Sequence, residues 1–367
     1  MLRPILLALS HQRGLEQFAL RHPGLRRTAH RFVAGERLEQ AVAVVRSLNG
    51  AGLTATLDFL GENTRSRQGA AASAEAYGSI LDELYRTGIG SNLSLKLTQL
   101  GLDVDEAMCE ALLCDVLDRA GETFVRIDME GSPYTERTLR LFERLWTAGR
   151  RNLGVVIQSY LRRSEGDVER LIGLGARVRL VKGAYAEPPA VAFPHKRDVD
   201  GNFARLAARL LREGVYPAIA THDERLIEGV RRTAAAEGIA PDRFEFQMLY
   251  GVRRDLQARL RREENRVRVY VPFGGEWYPY FMRRLAERPA NLMFVLKSIL
   301  RERPSASATL IVGQYQVRRV GGRIKASSGP FEIPHLGRGH AGQIRLMQNR
   351  VRGFTEPSGK APRPIEV

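Results

Sequence analysis

FVRIDMEGSPYTERTLRLFERLWTAGRRNLGVVIQSY, residues 124–160, decides the architecture. It opens with a short run, FVRIDME (124–130), and closes with another, VVIQSY (155–160). Both are mostly apolar on both faces, as strands buried inside a parallel sheet must be. Between them TERTLRLFERLWTAGR (135–150) repeats apolar residues at three and four, with Thr135 near its start and Gly149 and Arg150 at its end. That is the pattern of an amphipathic crossover helix with start and stop signals. The segment therefore reads as one strand–helix–strand unit.

The same alternation continues in both directions. Six further runs complete a set of eight: TATLDFL (54–60), LSLKL (93–97), VRLVKG (178–183), YPAIATH (216–222), FEFQML (244–249) and VRVYVP (267–272). The stretches between them are long enough for helices, as in DEAMCEALLCDVLDRAGE (105–122) and DERLIEGVRRTAAAEG (223–238). Eight alternations in one domain predict an α/β fold of the (βα)8 TIM-barrel type. A doubly wound sheet is the structural alternative, but no GxGxxG follows the first run.

Before the barrel the chain is mostly helical by pattern. RFVAGERLEQAVAVVRSLNGAG (31–52) carries the period, and Asn49-Gly50 closes it. Residues 1–52 are read as an N-terminal helical segment and 53–303 as the barrel. Residues 304–367 are read as a basic, poorly ordered extension without sustained periodicity. LIVGQYQVRRV (310–320) has the look of a strand but no obvious partner.

The chain of 367 residues has a net charge of +16, and only six of its 57 basic residues are lysine. That skew resembles GC-rich codon usage. Residues 301–367 hold 12 of the basic residues against four acidic ones, half of the net excess. The charge is thus weak support for a nucleic-acid or membrane binder. No apolar run reaches the ~18 residues of a membrane span, and MLRPILLALS (1–10) reads as a helix lead-in. Cys109 and Cys114 form no CxxC or disulfide framework, and the seven histidines form no metal motif. A cytoplasmic protein without a metal is expected.

In a barrel of this type the site forms at the C-terminal strand ends. Reading those ends gives Lys96, Asp128, Gln158, Lys182, Thr221, His222, Gln247 and Tyr270, with Arg179 inside the fifth run and Asp128 the only carboxylate. Singly, each has a structural explanation as a snorkelling or capping residue. Together, polar groups in otherwise apolar runs at one end of the barrel favour a ligand site, because buried charge is costly unless paired. After the eighth run, EWYPYFMRRLAER (276–288) forms a helix with Pro279 in its first turn. Tyr280, Arg283, Arg284 and Glu287 share one arc of it. A solvated face with an Arg283–Glu287 pair is one reading. Over a barrel mouth, two adjacent guanidinium groups suit a carboxylate.

RLVKGAY (179–185), FEFQMLYG (244–251), RVYVPFG (268–274) and YPYFMRRLAERPAN (278–291) together resemble the proline dehydrogenase family. FVRIDMEGS (124–132), IQSYLRRS (157–164) and RFVAGE (31–36) match the same pattern, in order, from about residue 25 to 300. The resemblance implies a distorted (βα)8 barrel with a final helix over its mouth. It implies non-covalent FAD, oxidation of L-proline to 1-pyrroline-5-carboxylate, and a membrane quinone as electron acceptor, with peripheral membrane contact. Carried over by motif, Arg283, Arg284 and Lys96 would bind the proline carboxylate. Glu287 would pair with Lys96, and Tyr270 and Tyr280 would pack on the ring. Asp128 and Arg179 would be the catalytic pair: Asp128 the active-site carboxylate, orienting and not a strong base, and Arg179 beside flavin N5. Met129, Gln158, Lys182, Gly183, Ala184, Thr221 and His222 would contact FAD. The extension after about residue 303 departs from the family pattern. Two alternatives predict different behaviour: another flavin-dependent TIM-barrel enzyme, such as a methylenetetrahydrofolate reductase, or a non-enzymatic basic barrel binding RNA or membrane.

Overall fold

The computed structural model describes residues 29–61, 63–287, 310–312, 315–320 and 323–328, with side chains through residue 284. Residues 1–28 of the predicted helical segment lie outside the described residues. Helix α1 (Leu38–Gly50) precedes the first strand. The barrel strands are β1 (Thr54–Phe59), β2 (Ser91–Leu95), β3 (Val125–Ile127), β4 (Leu153–Gln158), β5 (Arg177–Val181), β6 (Ala218–Ala220), β7 (Glu245–Leu249) and β8 (Val267–Phe273). Helices α2 (Arg67–Thr87), α3 (Glu106–Ala120), α4 (Ser132–Thr147), α5 (Ser164–Gly173), α6 (Lys196–Glu213), α7 (Glu224–Ala236) and α8 (Arg254–Arg262) fill the crossovers, and α9 (Trp277–Glu287) follows β8. All eight strands pair in parallel in sequence order, and β8 closes on β1. The predicted (βα)8 barrel is the observed one.

Three crossovers, α2, α3 and α7, start at side-chain caps, whereas α4 begins at Ser132, ahead of the Thr135 start signal, after an uncapped Gly131 and with Pro133 in its first turn. Ser66, Asp105 and Asp223 each accept a backbone N–H of the next helical turn. Leu93, Val125, Val155, Leu180, Phe246 and Val269 are fully buried between sheet and helices. That apolar layer is why the runs were visible in the sequence.

The barrel interior is different. Buried there, where branched aliphatic side chains usually stack, are Asp58, Ser94, Arg126, Arg179, Glu245 and Gln247. They follow the strand period of two. Arg126 lies two residues before Asp128, Glu245 two before Gln247, and Arg268 two before Tyr270. One polar storey at the mouth thus stands on another at the base. Gln247 and Tyr270 sit within their strands, as Arg179 does, and not at the strand ends expected from the sequence. β8 continues to Phe273, so its mouth-facing residue is met before the strand ends.

Residues 302–367 form a separate compact unit. In it β9 (Leu310–Val312), β10 (Tyr315–Val320) and β11 (Arg323–Ser328) make an antiparallel sheet with β10 in the centre. The strand expected at 310–320 is two strands, and its partners are local: Tyr315 faces both Val312 and Ser328.

Candidate active site

The mouth is built around two buried ion pairs. Lys96, just beyond β2, donates to Asp58 Oδ1 of β1 at 3.0 Å. Arg179 of β5 donates through Nη1 to Asp128 Oδ1 at 2.5 Å, and Nη2 reaches Ser94 Oγ at 3.2 Å. Tyr270 donates its hydroxyl to the other oxygen of Asp128, Oδ2, at 2.7 Å. Its ring lies 5.3 Å from the Arg179 guanidinium carbon. Burial, reinforced by Asp128 and Asp58, pushes the Tyr270 phenol well above its ordinary pKa, so it remains a donor.

Asp58 was missed in the sequence. It is a second carboxylate at the mouth, 1% exposed, on β1. The signal was present: a lone acid in the apolar run TATLDFL. Its partner lies 38 positions away and is brought to it by the β1–β2 pairing, which sets Asp58 opposite Ser94. Burial raises the Asp58 pKa; Lys96 pulls it down by less, and Asp128 adds to the rise. Asp58 Oδ2 has no hydrogen-bond partner among the described residues.

Helix α9 packs Trp277, Tyr278, Tyr280, Phe281 and Met282 against Phe32, Val33 and Leu60, the last just beyond β1. A solvated face does not describe this helix. Tyr280 is buried, Arg283 and Arg284 are half-buried, and Arg284 lies 5.0 Å from the Tyr280 ring centre. The side chain of Glu287 lies outside the described residues, and so does its expected pairing with Lys96.

The β4–β6 side carries a second group of candidates. The buried Gln158 amide donates to Glu130 O at 2.8 Å, next to Met129. Lys182 sits between Asp200 (2.6 Å) and Asp223 (3.1 Å), and all three side chains are about a quarter exposed. Burial of Asp200 and Asp223 opposes their charge, but the lysines outweigh it and hold both carboxyls below their usual range. Gly183 has φ +111°, and a Cβ there would come within 2.2 Å of the Tyr160 ring, so no other residue fits without rearrangement. Ala184 follows it in the open stretch after β5. Thr221 Oγ1 accepts the Asp223 N–H, and His222 Nε2 accepts the Leu249 N–H at 2.9 Å. That bond fixes the imidazole with Nε2 as an acceptor. This donor set fits a dinucleotide: a shareable ammonium for phosphate, a fixed imidazole and hydroxyl, and a buried guanidinium facing inward.

A closed parallel barrel with buried acids and cations converging at one mouth defines a TIM-barrel enzyme. Residues 41–297 match the family described as proline dehydrogenase, and the chain belongs to that family. It is 44% identical over 304 residues to Proline dehydrogenase 1 of Bacillus subtilis (strain 168), covering 82% of this chain and 100% of that protein. It is 41% identical over 305 residues to Proline dehydrogenase of Deinococcus radiodurans, covering 82% and 98%. The solved structure of proline utilization A from Bdellovibrio bacteriovorus, inactivated by N-propargylglycine, superposes with a TM-score of 0.69 at 26% identity. That match covers 77% of this chain and 34% of the other, so this chain spans about a third of that protein. Among the described residues no helix is long and apolar enough to cross a membrane.

Proposed function

We propose that the protein oxidises L-proline to 1-pyrroline-5-carboxylate, using non-covalent FAD that a membrane quinone reoxidises at a peripheral membrane contact. The observation that carries this reading is the paired mouth, Lys96–Asp58 and Arg179–Asp128–Tyr270, in a chain 44% identical to a proline dehydrogenase along that protein's whole length. When bound, FAD would supply the acceptor for hydride from the carbon beside the proline nitrogen.

The chain's own residues then have distinct tasks. Arg283, Arg284 and Lys96 bind the carboxylate, Tyr270 and Tyr280 pack on the ring, and Glu287 helps to close the site. This cluster of cations favours loss of the amine proton, which frees the nitrogen lone pair. Asp128 has both oxygens committed, one to Arg179 and one to Tyr270, which supports an orienting role. Asp58, with its raised pKa and an Oδ2 that has no hydrogen-bond partner among the described residues, is able to hold a proton at the mouth. Arg179 would lie toward the reactive edge of the flavin, where a cation would stabilise its reduced, anionic form. Met129, Gln158, Lys182, Gly183, Ala184, Thr221 and His222 hold the rest of the cofactor.

The test is anaerobic titration of the purified protein. It should be yellow, and L-proline should bleach its visible flavin band. Bleaching by a pyridine nucleotide and not by proline would overturn the assignment in favour of another flavin-dependent barrel enzyme. A colourless protein with steeply salt-dependent RNA binding would do so in favour of a binding module.

A further inference from the structure

The base of the barrel holds a buried acid that the mouth chemistry does not use. Glu245, 3% exposed, accepts from Arg268 Nε at 2.9 and 3.1 Å. Its Oε1 also accepts from Gln247 Nε2 at 2.5 Å, and Gln247 Oε1 in turn accepts from Arg179 Nε at 2.5 Å. An unbroken line of hydrogen bonds therefore runs up the barrel interior, from Arg268 through Glu245, Gln247 and Arg179 to Asp128 and Tyr270.

We propose that Glu245, fixed by Arg268, is a positioning residue that sets the orientation of the Gln247 amide and through it the place of the Arg179 guanidinium. The argument rests on donor and acceptor type. A carboxylate only accepts and a guanidinium only donates. A glutamine between them has one workable orientation, NH2 toward Glu245 and oxygen toward Arg179. The two charges polarise the amide in the same sense, which strengthens both bonds. Burial opposes the charge on Glu245, but Arg268, the Gln247 amide and Arg126 outweigh it and hold the carboxyl below its usual range. The acid thus stays ionised and the instruction to the amide is constant. Arg179 is held on three sides, by Gln247, Asp128 and Ser94. Only the link to Gln247 leads away from the mouth.

The inference rests on the reading of Arg179 as the group beside the flavin, and the experiment separates the two. The readout is the midpoint potential of the flavin in the purified, FAD-loaded full chain. Arg179→Met should lower it. Glu245→Gln removes the fixed instruction while keeping size, and Gln247→Met removes the link while leaving the Glu245–Arg268 pair intact. Each should make flavin reduction about tenfold less favourable, about 30 mV for a two-electron couple. If Glu245→Gln does not fold, Gln247→Met carries the test alone. Should Glu245 only neutralise Arg268 and Arg126, its variant will melt earlier at an unchanged potential. An unchanged potential in the folded positioning variants, with Arg179→Met shifted, overturns the proposal and leaves the flavin reading standing. An unchanged potential in Arg179→Met overturns both.

Discussion

Two buried carboxylates share the interior of this barrel and respond to it in opposite ways. Glu245, at the base, is held below its ordinary pKa; Asp58, at the mouth, is pushed above its own. Both lie almost wholly out of water, so burial opposes both charges. The difference lies in compensation. Glu245 has Arg268, whose Nε–H is shared between both carboxylate oxygens, the Gln247 amide and the nearby charge of Arg126. Asp58 has one lysine, only a weak contribution from the Tyr270 hydroxyl, a neighbouring carboxylate that opposes its charge, and an oxygen without a hydrogen-bond partner among the described residues. The base is electrostatically complete and the mouth is not. An incomplete site suits a ligand that brings its own charges, as the zwitterion of an amino acid does.

The comparison is most exposed to the loss of each cation. Arg268→Met strands an acid that is held ionised and should cost about 3–5 kcal/mol of unfolding free energy. Lys96→Met should cost distinctly less, because Asp58 can take up a proton instead of remaining a bare buried charge. Denaturant unfolding of both variants at neutral pH checks this, and equal losses would break the contrast. Arg284→Met acts at the mouth alone. It should raise the Michaelis constant for proline by about 10- to 100-fold, the value of one charged hydrogen bond, while FAD stays bound. Steady-state kinetics with a count of bound flavin tests it; unchanged proline kinetics would remove α9 from the site.

The smallest effect is in the pH dependence of stability. Glu245 has a lowered folded-state pKa, so its contribution is present above the unfolded value of ~4.3 and is lost as pH falls through the folded one. Asp58 has a raised folded-state pKa, so its contribution is present below the unfolded value of ~3.9 and is lost as pH rises through the folded one. The deficit of Glu245→Gln relative to the parent should therefore shrink in acid. Asp58→Asn should cost less than Glu245→Gln at neutral pH. Unfolding curves over roughly pH 3 to 8 read both slopes, and parallel slopes would show that the two acids are not opposites.

The barrel was legible because its outward layer is apolar in every strand; Val125, Val155 and Val269 report burial without any partner being known. Lys96, Asp128 and Arg179 were legible as charges in apolar runs. The base storey carried a signal of the same kind that went unread. Arg126, Glu245 and Arg268 each stand two residues before a mouth residue, on the same strand face. Asp58 was passed over because its partner is just beyond the neighbouring strand, and only the β1–β2 pairing makes the pair. Asp105 and Asp223, the first residues of the stretches 105–122 and 223–238, cap their helices by bonds two or three residues long, a local pattern. The Gln247–Arg179 bond joins residues 68 positions apart, which no local pattern encodes.

Gly154 of β4 carries a consequence for how this interior can change over generations. A Cβ there would lie 2.9 Å from Arg126 Nη1 and 2.6 Å from Arg177 O. Any other residue at 154 meets the Arg177 carbonyl and the Phe124 ring, both at 2.6 Å, before it meets the arginine. Replacing Arg126 first opens a hole and withdraws a cation from Glu245. Position 154 thus stays closed to side chains even where Arg126 is replaced, and the two positions constrain the charged base separately.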